Sequence, residues 1–164
     1  MAKVEIKKPV VDEISELLNG AKAAVLVDYR GLTVEQDTNL RKQLREAGVV
    51  YKVYKNTMVN FAIQGTEFES LAGHLEGPTA LAVSKEDASA PARILYNFSK
   101  DATALELKAG VVEGSYYDQE GIKVIANIPS REVLISKLLG SMQSPITNFA
   151  RVIKQIAEKQ EEVA

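Results

Sequence analysis

Hydrophobic and polar positions alternate between two spacings along the first 128 residues, which predicts helices interleaved with strands. Val4–Asn19 carries apolar residues at helical spacing and stops before Gly20, so it predicts a first helix. The short apolar run Ala23–Val27 predicts a buried strand. Val49–Tyr54 is rich in valine and tyrosine and predicts a second strand.

Capping residues mark the starts of several further helices. Thr33 with Gln36 predicts a capping box, in which each side chain satisfies a backbone N–H near the other residue, and Thr66 with Glu69 predicts a second box. Asn56 predicts another helix start. The remaining predicted elements are two strands and two helices, at Thr79–Val83, Leu105–Glu113, Ala88–Lys100 and Ile122–Ile128. The pattern predicts an α/β fold with a single mixed sheet of about four strands and flanking helices.

The character of the chain changes after Pro129. Ser130 with Glu132 predicts a helix that ends near Gly140, and Ser144–Pro145 predicts a new start with proline at the first helical position. Apolar residues then recur at helical spacing. We therefore divide the chain into an α/β domain at 1–129, a connecting helix and hinge at 130–140, and a C-terminal amphipathic helix at 141–164.

The C-terminal stripe has two interpretations on the sequence alone. The helix folds back on the domain, or it projects and presents its apolar side to another protein. A one-sided stripe without enough chain to cover it favours the second interpretation. The residues that we expect to bind a partner are Met142, Ile146, Phe149, Ala150, Ile153, Ile156 and Ala157.

Composition excludes most catalytic chemistry. The 164 residues include no cysteine and one histidine, His74, so thiol nucleophiles and multi-ligand zinc sites have no basis. No glycine-rich phosphate loop or nucleophile-elbow motif accompanies His74, and we expect no metal, no cofactor and no enzyme. No signal peptide or membrane span is evident, so we expect a cytoplasmic protein without a membrane partner.

A small net charge of −2 hides an asymmetry between the two ends of the chain. Residues 1–60 carry ten basic and eight acidic side chains, whereas residues 61–164 carry ten and fourteen. Arg30 follows the first strand, and Lys52 and Lys55 lie along the second up to a helix start. If those strand ends are adjacent, the cations and the free helix N–H groups suit a backbone phosphate. The alternative to a phosphate site is that these basic residues simply form a solvated surface.

Five short motifs occur in an order that resembles a known family: Asp28–Val34, Leu40–Arg45, Val53–Thr57, Gly77–Ala80 and Ile128–Glu132. They are similar to the motifs of the bacterial ribosomal stalk-base proteins, the ribosomal protein L-ten family. The resemblance covers nearly the whole chain. Ile128–Pro129 replaces the Leu-Pro pair of the family, which is a conservative change.

The resemblance implies a structural constituent of the large ribosomal subunit. Its N-terminal α/β domain is expected to bind large-subunit ribosomal RNA beside the L-eleven-type protein. Its C-terminal helix is expected to carry dimers of the acidic L-seven/L-twelve stalk protein, which recruit translation GTPases. The residues that we expect at the RNA are Lys3, Lys7, Lys8, Arg30, Gly31, Arg41, Arg45, Lys52, Lys55, Asn56 and Thr57.

The length of the tail predicts how many dimers it holds. Helix-in-groove docking uses anchors at positions i, i+3 or i+4, and i+7, so one partner needs roughly 8–11 residues. Met142–Val163 therefore has room for about two dimers, not three. Two other classes of protein compete with this interpretation. A non-ribosomal adaptor would use the same helix to bind an unrelated partner, and a small α/β enzyme would need a pocket.

Overall fold

The computed structural model describes residues 3–102 and 104–161, with side chains for 8–102, 104–156 and 158. Six α-helices, a short 3₁₀ helix and five strands make up this part of the chain. The helices are α1 (Lys3–Leu18), α2 (Val34–Glu46), α3 (Asn56–Ile63), α4 (Ala90–Asp101), α5 (Gln119–Ala126) and α6 (Arg131–Glu161), with the 3₁₀ helix at Glu69–His74. The strands are β1 (Ala23–Asp28), β2 (Val49–Val53), β3 (Ala80–Ser84), β4 (Glu106–Val112) and β5 (Ser115–Asp118).

The five strands form one sheet in the order β2-β3-β1-β4-β5. The predicted α/β fold with a single sheet is confirmed, but every pairing is antiparallel rather than mixed. The fifth strand, β5, has no counterpart among the elements predicted from the sequence. Glu113 and Gly114 both have positive φ (50° and 76°), the backbone of a two-residue hairpin turn that returns β5 along β4. Glutamate is not among the residue types that predict such a turn.

Apolar side chains cover both faces of the sheet, as the unbroken apolar run of β1 predicts. Val25 and Val27 of β1 face a core formed with α2, α4 and α5, whereas Ala24 and Leu26 face a core formed with α1, α3 and the 3₁₀ helix. All four side chains are fully buried. The sheet is therefore the middle of three layers, and its ends and outer strands are the parts that reach solvent.

One of the two predicted capping boxes is present. Thr33 accepts a hydrogen bond from the backbone N–H of Gln36, and the Gln36 side chain accepts one from the N–H of Thr33. The box predicted at Thr66 is wrong. The Thr66 hydroxyl donates to the carbonyl of Ile63 and accepts from the N–H of Phe68, so it stabilises the turn after α3 and only a 3₁₀ helix follows.

The chain separates into two compact units, residues 1–128 and residues 129–164. The second unit contains α6, which runs without interruption from Arg131 to Glu161. The predicted end near Gly140 and the new start at Ser144 are therefore not seen. A glycine costs about 1 kcal/mol and a proline about 3 kcal/mol inside a helix, and the residues on both sides of Gly140 and Pro145 maintain the helix across them.

Within the described residues, no helix combines the length and the apolar character needed to cross a bilayer.

Candidate functional site

The strands β1 and β2 end at the same edge of the sheet, on either side of β3. Ala80, the first residue of β3, is paired with Val27 on one side and with Val53 on the other. Neighbouring strands lie about 4.8 Å apart, so the segments that carry Arg30 and Lys55 leave the sheet roughly 10 Å apart. The two strands are not direct neighbours, but their ends come together as the sequence interpretation required.

The loop at Gly77 lies between these two segments. An ideal Cβ at Gly77 would approach Arg30 Nη2 to 3.0 Å, and φ at this residue is +66°, so only glycine fits without strain. The Asn56 amide donates to the carbonyls of Leu75 (2.8 Å) and Gly77 (2.7 Å). The first turn of α3 is thereby tied to the loop, and the loop in turn supports the guanidinium of Arg30.

Lys108 of β4 holds the other side of the same loop and was missed by sequence reasoning. Its ammonium donates to the carbonyls of Glu76 (2.6 Å) and Pro78 (2.8 Å) and lies 3.8 Å from the Asp28 carboxylate. Asp28 also pairs with Arg30 at 3.4 Å. The one sequence signal was a lysine between two apolar residues of a strand, Leu107 and Ala109. Lys108 orders the sheet end rather than offering its own charge to a ligand.

An open groove of about 300 Å³ lies at this sheet end. Its walls are Tyr29, the segment Val53–Thr57 and the loop Gly77–Thr79. Three of the predicted RNA-binding residues, Lys55, Asn56 and Thr57, therefore line one groove, and the side chain of Arg30 lies against its Gly77 wall. Lys55 is exposed and makes no ion pair with any residue that the structure describes.

Lys52 has a different environment from Lys55, although only two residues separate them in sequence. Its ammonium lies 2.5 Å from a carboxylate oxygen of Glu13 on α1, and the Tyr54 hydroxyl donates to the same oxygen at 3.2 Å. The hydrogen bond from Lys52 lowers the pKa of Glu13, and the hydrogen bond to Glu13 raises the pKa of Lys52. The charge of Lys52 is thus already matched within the protein.

Arg41 and Arg45 lie on α2, which packs against the other face of the sheet. Arg41 pairs with Asp37 at 2.8 Å, and its guanidinium lies over the ring of Tyr51 with 5.0 Å to the ring centroid. Burial raises the pKa of Tyr51 to about 12. Arg45 is exposed in the last turn of α2. Neither arginine is among the residues that line the groove.

The remaining predicted RNA residues lie elsewhere. Gly31 follows Arg30 with φ of +82°, and an added Cβ would come within 3.0 Å of Ala104 Cβ, so its role is to form the turn. Lys8 is exposed on α1. The side chains of Lys3 and Lys7, like that of Ala157 in α6, lie outside the described residues.

A second candidate surface runs along α6. Met142, Ile146 and Phe149 are 68%, 73% and 68% exposed, and Ile153 and Ile156 are half exposed. At 100° per residue these side chains share one side of the helix. The same stripe continues toward the start of α6 through exposed residues that the expected partner-binding set does not include: Leu134, Ile135, Leu138 and Leu139.

Potential metal ligands and the environment of the lone histidine bear on possible chemistry. Among the described residues, no group of histidine, aspartate and glutamate is placed to hold a metal ion. His74, the lone histidine, stacks on Tyr116 with 5.6 Å between ring centroids, and its Nε2 lies 2.5 Å from the Tyr116 hydroxyl.

Comparison with known proteins gives concordant results. The family model described as Ribosomal protein L10 matches residues 2–100, and the one described as Ribosomal protein uL10 C-terminal region matches residues 128–163. The chain is 56% identical over 159 residues to the large ribosomal subunit protein uL10 of Alkaliphilus metalliredigens, covering 97% of this chain and 96% of that protein. It is 51% identical over 161 residues to the uL10 of Staphylococcus aureus strain JH9, covering 98% and 97%.

Proposed function

The chain belongs to the ribosomal protein L10 family, and from this membership we propose that it anchors the ribosomal stalk by joining ribosomal RNA to acidic stalk-protein dimers. As a member of the family it is a structural, non-enzymatic protein of the large ribosomal subunit. Its site of action is the ribosome, in agreement with the cytoplasmic location expected from the sequence. The family membership disfavours the non-ribosomal adaptor and the small enzyme.

The RNA-binding part of the proposal rests on the first unit, residues 1–128. Its central observation is the meeting of Lys55 and Arg30 at one end of the sheet, on either side of the Gly77 loop. Exposed cations beside the first turn of α3 suit the phosphate backbone of RNA. Lys8 and Arg45, exposed on α1 and α2 outside the groove, are further candidate contacts. Lys52 and Arg41 are each paired with a carboxylate of the protein, and Arg30 is paired with Asp28 while 67% of its side chain stays exposed.

The protein-binding part rests on α6. A helix whose apolar side chains are half or more exposed needs a partner, because water-exposed stripes of this length are costly in a free protein. The sequence from 131 to 161 carries five basic and three acidic residues, a charge balance that favours an acidic partner. The dimers of the L-seven/L-twelve type meet that description, and translation GTPases are recruited through them.

Two dimers per chain remain our proposal. Ile146, Phe149 and Ala150 serve the first dimer, and Ile153, Ile156 and Ala157 serve the second. The preceding stretch at 130–140, with Leu134 and Leu138, acts as the connecting helix. Gly140 and Pro145 are the weakest helical positions between this stretch and the docking residues, which is where a hinge would form. The L-eleven-type protein is the proposed neighbour of the first unit on the RNA.

A charge-reversal series tests the RNA surface. Lys55→Glu and Arg30→Glu should each weaken binding to a large-subunit ribosomal RNA transcript about tenfold or more. Each should also flatten the dependence of log K on log[salt] by about 0.7–0.9 for every phosphate that the variant no longer neutralises. The matched control is Lys85→Glu, an exposed lysine just beyond the opposite end of β3, which should behave like the wild type. Unchanged slopes for both variants would place the RNA elsewhere.

A further inference from the structure

The lining of the groove at the sheet end differs in chemistry from the cationic side chains around the groove. The lining includes Tyr29, Val53 and Pro78, and Tyr29 is half-buried against the core that the sheet shares with α2. Two polar groups that also line the groove are already engaged within the protein. The Tyr54 hydroxyl binds Glu13, and the Thr79 hydroxyl donates to Gly77 and accepts from Lys108. What the groove offers a ligand is mainly apolar and aromatic surface.

Charge is concentrated at the rim of the groove rather than inside it. Lys55 is exposed at one wall, and Arg30, with 67% of its side chain exposed, lies against the Gly77 wall opposite. A phosphate inside the groove would lose water and gain few donors, whereas a phosphate at either side of the rim would meet an exposed cation. A ligand with a flat apolar body and anionic flanks matches this arrangement.

We propose that the groove receives one unpaired nucleobase of the bound RNA, stacked against Tyr29, with its flanking phosphates held by Lys55 and Arg30. The inference rests on the proposed function, since it assumes that the partner at this surface is RNA. Sequence-specific RNA recognition uses unstacked bases that lie on aromatic side chains. A groove of about 300 Å³ lies at the small end of ligand pockets, which suits one base and not a duplex.

The lysine of β4 gives the groove its shape. Because Lys108 binds the carbonyls of Glu76 and Pro78, the loop that forms one wall is held in place before any ligand arrives. Asn56 secures the same loop from the other side through Gly77. A wall fixed in this way lowers the ordering cost of binding.

The test compares variants that change the groove without changing its charge. Tyr29→Leu removes the stacking ring but keeps an apolar side chain, and Val53→Ser changes an exposed wall residue with little risk to folding. Each should lower affinity for the shortest large-subunit ribosomal RNA transcript that the wild type binds by about five- to fiftyfold, with the salt slope unchanged. The control is Val50→Ser, which alters a similarly exposed valine of β2 outside the groove.

Chemical probing of the RNA identifies the base. One unpaired base should be protected from base-specific methylation by the wild type and by Val50→Ser, and should regain reactivity with Tyr29→Leu. An abasic site at that nucleotide should weaken binding to the wild type to a similar extent, with no further loss when combined with Tyr29→Leu. This non-additivity is the signature of a direct contact.

The outcomes distinguish a failure of the proposed RNA-binding function from a failure of the proposed nucleobase pocket. If the wild type does not bind the RNA at all, the proposed function fails. If it binds, but the groove variants match Val50→Ser and no base regains reactivity, the nucleobase pocket is overturned while the RNA surface stands. If the groove variants leave RNA binding unchanged but weaken binding of the L-eleven-type protein, the groove holds a protein side chain and the inference is also wrong.

Discussion

Tyr51 shows how a single residue in β2 links the core to the basic surface. Its ring is buried between α2 and the sheet, and it supports the guanidinium of Arg41. Its hydroxyl is buried and has no hydrogen-bond partner among the described residues. A desolvated hydroxyl without a partner reduces stability, so Tyr51 contributes through its ring and not through its oxygen.

Replacing Tyr51 by phenylalanine should therefore stabilise the protein. Tyr51→Phe keeps the ring under Arg41 and removes the unpaired hydroxyl, so the free energy of unfolding in urea at pH 7 should rise by about 1 kcal/mol. The folded pKa of Tyr51 is raised to about 12, and the wild type therefore loses stability as pH rises above about 10, where the unfolded tyrosine ionises. The difference in the free energy of unfolding between Tyr51→Phe and the wild type should therefore widen above about pH 10. A less stable variant at pH 7 would contradict this account.

The contact between Glu13 and Lys52 predicts that the stability of the protein depends on pH. The pKa of Glu13 is lowered in the folded state from 4.5, so its contribution is present above about pH 4.5 and is lost as pH falls through its folded value. The pKa of Lys52 is raised from 10.5, so the lysine contribution is present below about pH 10.5. Glu13→Gln should be less stable than the wild type at pH 7, and the difference should shrink as the pH of the thermal unfolding experiment is lowered from 4.5 through the folded pKa of Glu13.

The matched control for this pair is Glu16→Gln. Glu16 is an exposed acid about one turn further along α1, and its side chain makes no ion pair in the described part of the chain. Its substitution should leave stability nearly unchanged at pH 7 and at acidic pH. A stability gap for Glu13→Gln that stays constant across this pH range would mean that the charge of Glu13 is not what ties α1 to β2.

At the scale of elements, two features that depend on local sequence patterns were predicted correctly. The capping box at Thr33 and the buried run of β1 depend on neighbouring residues, and both are present. The strand β5 could not be predicted, because its exposed residues acquire strand geometry only by pairing with β4. The uninterrupted course of α6 was missed because glycine and proline are strong local signals that longer flanking helical segments outweigh.

The candidate site was predictable to a similar degree. Lys55 and Arg30 stand out because they follow two strands, and the sequence suggested their proximity. That β3 separates those strands, and that Lys108 from β4 holds the loop between them, depends on strand order and register. No short-range pattern encodes strand order. For the same reason the sequence did not distinguish Lys55, which is free of carboxylate contacts among the described residues, from Lys52.

The stripe of α6 predicts two separable docking segments. Phe149→Asp should remove one acidic dimer and Ile156→Asp the other, because each places a charge at the centre of an apolar contact. Native mass spectrometry of the co-expressed complex should show two acidic subunits per chain for either variant, against four for the wild type. Six subunits on the wild type would overturn the count of two dimers.

The control for these variants is Thr147→Asp, which introduces the same charge on the opposite side of the helix. It should retain four acidic subunits. RNA affinity should stay at the wild-type level for all three proteins, since no described residue of α6 lines the sheet-end groove. A loss of RNA binding by Phe149→Asp or Ile156→Asp would show that the two functions share a surface.

At the scale of the whole molecule, the near-zero net charge combines two different parts. The first 60 residues are slightly basic and supply both Arg30 and Lys55, whereas the remaining 104 residues have a net charge of −4. The two candidate surfaces lie in separate compact units. Simultaneous binding of RNA and protein partners by these two units is what the proposed anchoring role requires.

The most direct test of that claim is native mass spectrometry of the chain mixed with the acidic stalk protein and a large-subunit ribosomal RNA transcript that it binds. The account predicts one dominant assembly that contains one RNA, one copy of this chain and four acidic subunits. Lys55→Glu should lower the fraction of assemblies that contain RNA and keep the acidic subunits, and Phe149→Asp should keep the RNA and release two of the acidic subunits. Mutually exclusive binding of RNA and acidic protein to the wild type would contradict the account.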